Sequence, residues 1–191
     1  MLYPNKIIII SGSSGSGKTT LVNYLMLHAA FNLTFSVSAC SRQKRPLETH
    51  GKNYFFLSVE EFKEKIHNNQ FLEWEEVYKD HFYGTLKSST MDILNSGKNI
   101  LFDVDVKGAQ SIKDYFQDQA LSIFIKAPTV STARDRLTQR GTESKNQINF
   151  RINKIQSEII IGQQMDYQLI NDDLSESKED IRCVVKKFLD V

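Results

Sequence analysis

Cysteine is scarce in this chain, with two among 191 residues. Cys40 and Cys183 stand far apart and form no CxxC pair, which leaves no basis for a disulfide framework or a zinc knuckle and makes a reducing, cytoplasmic compartment the expectation. Net charge is nearly absent too: 24 basic side chains face 23 acidic ones, for a balance of +1. No global field therefore draws the protein to nucleic acid or to a membrane surface, and any bound anion has to be gripped by a local site. Long apolar runs are missing. Ile7–Ile10 stops at Ser11-Gly12, too short for a secretory leader and far short of the ~20 residues of a membrane span. The four histidines (His28, His50, His67, His81) show neither metal-ligand nor nucleophile-activating spacing, and internal repeats and low-complexity segments are absent.

What remains is an ordinary globular composition, 40% hydrophobic and 25% charged, at a length that suits one core with small appended lobes. Runs of β-branched and aromatic residues alternate with helical stretches, the pattern of an α/β fold built on a parallel sheet flanked by helices. Strands are expected at Lys6–Ile10, Asn99–Asp103, Leu121–Ile125 and Tyr167–Asn171. Helices are expected at Thr19–Ala30, Val59–Asn69, Leu86–Ser96, Val130–Arg140, Lys145–Gln164 and Ser175–Leu189, each with a polar or acidic start. Two segments break the rhythm. Residues 38–85 are long for a crossover and carry aromatic clusters around Tyr54-Phe55-Phe56 and Phe82-Tyr83, so they read as a separate lobe. The polar stretch between Arg140 and Arg151 reads as a small mobile flap.

The stretch Gly12-Ser13-Ser14-Gly15-Ser16-Gly17-Lys18-Thr19 is a complete GxxxxGK[ST] motif, set between a hydrophobic strand and an amphipathic helix. Glycines let the backbone curl so that amides point at a phosphate, and the following helix start adds its dipole. Lys18 supplies a charge for the β- and γ-phosphates, and the Thr19 hydroxyl, next to Thr20, can ligate Mg²⁺. A Gly/Ser-rich turn after a strand is the plainer alternative. A second strand ends in Asp103-Val104-Asp105, where a P-loop protein holds its metal directly or through water. Asp103 is the candidate, and capping of the turn Val106-Lys107-Gly108 by either aspartate is the other reading.

Beyond the P-loop, the chain resembles the guanylate kinase family from Ile7 to about Leu189. The motifs that carry the resemblance are Ser38-Ala39-Cys40-Ser41-Arg42-Gln43-Lys44-Arg45 with Glu48, Gly51 and Tyr54; Phe71-Leu72-Glu73-Trp74; Phe82-Tyr83-Gly84-Thr85; and Arg136-Leu137-Thr138-Gln139-Arg140-Gly141 with Arg151. It implies that Arg42, Arg45, Tyr54 and Tyr83 hold the phosphate of GMP, and that Ser38, Glu73, Thr85 and Asp105 surround its base. A carboxylate suits guanine because N1–H and the 2-amino group are adjacent donors, which adenine lacks. The same resemblance makes Arg136, Arg140 and Arg151 lid arginines that close over the transferring phosphate beside Lys18. It also puts Asn171, with Gly12 to Thr20, at the ATP site. Lys44, Pro46 and Leu47 depart from the family's usual pattern around the phosphate-binding arginines.

The implied whole is one guanylate kinase domain over 1–191, with a P-loop core (1–37, 86–137 and 151–191), a GMP-binding lobe (38–85) and a lid (138–150). Its reaction is transfer of the γ-phosphate of ATP to GMP, with Mg²⁺ as cofactor and without nucleic-acid or membrane partners. Monomer and homodimer both stay open. Two further readings compete: a non-catalytic module of the same fold that binds protein partners, and a kinase for another nucleoside monophosphate.

Overall fold

The computed structural model describes residues 5–141 and 144–191. Thr142 and Glu143, part of the expected lid, lie outside the described residues.

The central sheet has five strands: β1 (Ile7–Gly12), β2 (Leu33–Phe35), β7 (Asn99–Asp103), β8 (Ala120–Lys126) and β9 (Tyr167–Ile170). Their order across the sheet is β2-β7-β1-β8-β9, and every pairing is parallel. β1 sits in the middle, which is why it is isoleucine on both faces. Side chains of a strand alternate, so Ile8 and Ile10 join Leu21, Val22, Leu25, Ile181 and Val185 on one face. Ile7 and Ile9 join Leu94, Ile100, Phe102, Ala109 and Ile112 on the other. All four isoleucines are fully buried, each contributing about 1.5–3 kcal/mol relative to exposure.

The first face is covered by α1 (Lys18–Met26) and α7 (Leu174–Leu189), the second by α3 (Lys87–Asn95) and α4 (Val106–Phe116). Helices α5 (Val130–Arg140) and α6 (Lys145–Gly162) pack on each other through Ala133, Leu137, Ile148, Ile152 and Ile155. Local chemistry sets their starts. Ser144 and Gln147 form a reciprocal capping box at α6, Thr129 caps α5 and Asp173 caps α7, each satisfying amides that a helix start leaves open. The C-terminal end of α6 meets the sheet at Gly162, where a Cβ would stand 2.4 Å from the Phe124 ring. Only glycine lets these two elements come so close.

A second sheet is formed by β3 (Ala39–Cys40), β4 (Phe55–Phe56), β5 (Phe71–Tyr78) and β6 (His81–Leu86), ordered β4-β3-β6-β5. Together with α2 (Val59–His67) it encloses a small aromatic core in which Phe62 stacks on Phe71 and Phe82 at 4.4 and 5.4 Å.

The four expected core strands and six expected helices are all present, most within two residues at each end. Helix α1 is the exception: it stops at Met26, and a short 3-10 turn covers Ala29–Phe31. Three features were not expected. β2 is a three-residue edge strand, the lobe is a sheet, and α4 stands where a turn was one reading. Asp105 does cap, but it caps an eleven-residue helix by accepting from Gly108 N at 2.7 Å.

Candidate active site

Parallel strands place their C-terminal ends on one edge, and the loops there converge. After β1 the chain curls through Ser13–Gly17 into α1. Ser13 N donates to Ile125 O and Ser16 N to Ser13 O, both at 3.1 Å. Gly15 and Gly17 take φ of +76° and +84°, a region that side chains resist. Asn171, at the end of β9, donates its amide to Ser16 O at 2.7 Å and so latches the loop from behind. Helix α1 starts with no side-chain cap and no acid in its first turn, which leaves its positive end open to an anion.

The loop forms one wall of a cavity of about 610 Å³, lined by Gly12 to Thr20, Arg136, Leu137, Arg140, Arg151, Asn171 and Leu174. That volume suits a nucleotide-sized ligand. The expected lid arginines are thus brought to the phosphate loop from α5 and α6. Arg136 is also braced, donating to Asn171 O at 2.9 Å and to Asp172 O at 3.4 Å. Lys18 Nζ pairs with the Asp103 carboxylate. Burial pulls the Lys18 pKa down to about 8, against the opposing pull of Asp105 and Glu158. Glu158 was not anticipated. From α6 its Oε2 accepts from Ser14 N, in the phosphate loop, at 3.3 Å.

A second cavity, of about 260 Å³, opens between β5 and the start of α4, lined by Glu73, Trp74, Glu75, Glu76, Asp105, Lys107, Gly108 and Ser111. Its character is opposite: acids dominate. Glu73 is held by Thr85, whose fully buried hydroxyl donates to Oε1 at 2.6 Å. Burial raises the Glu73 pKa to about 7, with Thr85 opposing and the charges of Asp105 and Glu75 adding. Glu75, two residues along the same strand face, is likewise raised to about 7, first by its hydrogen bond with Asp105 and then by burial. Sequence reading missed Glu75, although its i+2 spacing from Glu73 on a strand was an available signal. At the end of β7, Asp103 pairs with Lys18, and two residues on, Asp105 lines the acidic cavity.

The remaining expected residues lie on the second sheet or in the loops beside it. Arg42 makes paired bonds to Glu48 at 2.7 and 2.5 Å, with its guanidinium over the Tyr54 and Phe56 rings at 5.0 and 5.6 Å. Glu48 holds Arg42 firmly protonated, and Arg42 with the Arg45 amide brings Glu48 down to about 2. Tyr54 and Tyr83 meet edge to face at 5.9 Å, so Arg42, Tyr54 and Tyr83 form one cluster. Arg45 is exposed, its amide donating to Glu48 at 2.9 Å. Ser38 lies just before β3, its carbonyl accepting from Phe55 N at 2.9 Å. Lys44, Pro46 and Leu47 occupy an exposed turn closed by Glu48 N on Arg45 O at 3.0 Å, with Leu47 97% exposed. Chemically, the molecule offers a cationic, amide-lined cradle for a polyphosphate and, next to it, a carboxylate-lined pocket for a base that carries N–H donors.

Comparison with known proteins shows the family of the chain. The guanylate kinase family model matches residues 4–188. A guanylate kinase of Porphyromonas gingivalis is 48% identical over 184 residues, covering 96% of this chain and 98% of the relative. One from Bacteroides thetaiotaomicron is also 48% identical, covering 96% of this chain and 90% of the relative. Among solved structures, guanylate kinase from Anaplasma phagocytophilum superposes with a TM-score of 0.71 at 26% identity, over 96% of this chain and 85% of that one.

Proposed function

The chain belongs to the guanylate kinase family and is a nucleoside monophosphate kinase that phosphorylates GMP to GDP at the expense of ATP; from that premise, we propose which residues carry the reaction and how. ATP places its phosphates in the 610 Å³ cavity, against the loop amides and Lys18. GMP places its base against Glu73 and Asp105 and its phosphate toward Arg42, Arg45, Tyr54 and Tyr83. The observation that supports this most directly is the pairing of two cavities of opposite character, with Asp105 of the acidic one acting electrostatically on Lys18 of the other.

The carboxylate of Glu73 accepts from N1–H and the 2-amino group together. Adenine presents a ring-nitrogen lone pair in that place, which a buried carboxylate repels. The acceptor phosphate is already largely ionised near neutral pH, so its oxygen attacks the γ-phosphorus in line without a strong base. As the bond to the β-phosphate oxygen breaks, Lys18 and the arginines Arg136, Arg140 and Arg151 neutralise the charge on the transferring group. The loop is latched by Asn171 beforehand, so its amides need little reorganisation.

Mg²⁺ fits the residues present. Thr19 and Asp103 offer hard oxygen donors beside the phosphate loop, and no three His, Cys, Asp or Glu side chains converge as a metal cage among the described residues. That is the pattern of a metal held largely by phosphates and water. When bound, the ion supplies charge neutralisation on the phosphate oxygens. The proposed layout keeps residues 38–85 as the GMP lobe and 138–150 as the lid on a single core. Among the described residues no helix is long and apolar enough to cross a membrane. Both cysteines are free, which supports a cytoplasmic setting.

Incubating the protein with ATP and Mg²⁺ and, separately, GMP, AMP, UMP and CMP tests the assignment. GMP should be the strongly preferred acceptor. Absence of turnover, or preference for another nucleotide, would overturn it.

A further inference from the structure

Helix α6 carries Arg151 and, seven residues later, Glu158. Seven residues are close to two full turns, so the two side chains leave the helix on nearly the same face, ~10 Å apart along it. Arg151 lines the nucleotide cavity. The Glu158 carboxylate accepts from Ser14 N of the phosphate loop at 3.3 Å. The apolar residues of α6 (Ile148, Ile152 and Ile155) face α5, whereas Glu158 joins α6 to the loop itself. The charged groups around its carboxylate are Lys154 one turn back on α6, Arg151, Lys18 from α1 and Asp105 at the start of α4. A carboxylate beside a polyphosphate site opposes the ligand's own charge, so its presence there calls for a compensating role.

We propose that Glu158 is a positioning residue that ties α6 to the phosphate loop through Ser14 N, holding Arg151 in register with the γ-phosphate. The inference rests on the role proposed above for Arg151. Displacing a reacting or stabilising group by about 1 Å costs on the order of 10²-fold in rate, so a tether at this point governs kcat. Binding of GMP in the other cavity is untouched.

Reach and charge are separated by two variants. Glu158→Asp keeps the charge but shortens the arm by one methylene, and Glu158→Gln keeps the reach and an acceptor but loses the charge. The expected result is a fall in kcat of about 10- to 100-fold for Glu158→Asp, with KM for GMP unchanged. GMP binding followed by fluorescence of Trp74, the single tryptophan, which lines the acceptor cavity, should be unchanged too. Glu158→Gln should recover most of the wild-type kcat. Thermal unfolding of both variants is measured alongside, and a loss of kcat that tracks a loss of Tm counts against the proposal. So does wild-type kcat in Glu158→Asp, or a Glu158→Gln variant as slow as Glu158→Asp. Combining Glu158→Asp with Arg151→Ala should be no slower than Arg151→Ala alone, and multiplying effects would refute the coupling. If Arg151→Ala itself turns over normally, the arginine's assigned role fails and this inference goes with it. Dependence on Arg151 with an unmoved Glu158→Asp removes this inference alone.

Discussion

Replacing Glu73 with glutamine should change activity and stability in opposite directions. The carboxylate is buried, and its pKa is raised from 4.5 to about 7. A carboxyl whose folded pKa lies above its unfolded value binds its proton more tightly in the folded state. The fold therefore loses stability as pH rises from 4.5 through 7, by about 3 kcal/mol at 1.36 kcal/mol per pH unit. Glutamine is never ionised, and its carbonyl can still accept from Thr85 Oγ1, which bonds Glu73 at 2.6 Å. Glu73→Gln should thus be more stable than the wild type at pH 8, by up to about 3 kcal/mol, and little different near pH 4.5. Recognition suffers in the same variant. Of guanine's two adjacent donors, one would meet the amide NH₂. A hydrogen bond to a charged group contributes roughly 1.5–3 kcal/mol, so kcat/KM for GMP should fall roughly 10- to 200-fold and preference over AMP with it. Thermal unfolding at the two pH values and steady-state kinetics with both acceptors read these effects. A lower Tm at pH 8 combined with intact GMP preference would refute the reasoning.

Lys18→Ala should lower kcat by roughly 10³-fold or more, since it removes the cation nearest the developing charge, while circular dichroism stays native; turnover near wild type would displace Lys18 from the chemistry. Because the Lys18 pKa is brought down to about 8 by burial, its proton leaves above that pH, and kcat/KM for ATP should decline on the alkaline side with a midpoint near 8. Lys18→Arg should move that decline to higher pH, and an unshifted profile would assign it to another group. Gly162→Ala drives a methyl group to 2.4 Å from the Phe124 ring. Overpacking of this kind costs about 1–3 kcal/mol, a fall in Tm of roughly 2–12 °C for a domain this size, measurable by calorimetry; an unchanged Tm would mean that the helix can retreat freely.

Much of this architecture was legible because its signals are local. The isoleucine strand, the glycine loop and the helix behind it lie in one continuous stretch, and capping residues such as Ser144 and Asp173 mark helix starts in the sequence itself. The lobe was harder for a physical reason. β3 and β4 are two residues long and gain their pairing only from partners distant in the chain, so no periodicity announces them. Helix α4 was hidden by its own beginning: Asp-Val-Asp-Val-Lys-Gly has turn chemistry, and the helix depends on burying Ala109, Ile112 and Phe116 against the sheet. Glu75 and Glu158 were missed because an acid on an exposed-looking strand or helix is unremarkable until folding brings Asp105 or Ser14 beside it.

The close seat of Gly162 on Phe124 gives α6 the mechanics of a lever with a fixed fulcrum. Counting 1.5 Å per residue, Glu158 lies ~6 Å from that point and Arg151 ~16 Å. A tilt of about 10° then carries the arginine roughly 3 Å while the carboxylate travels only ~1 Å. Small movements near the seat are magnified at the far end, so the bond from Ser14 N to Glu158 has to suppress them if Arg151 is to stay in place. Short travel at the hinge and long travel at the tip are what a single rigid rod, pinned by a missing side chain, provides.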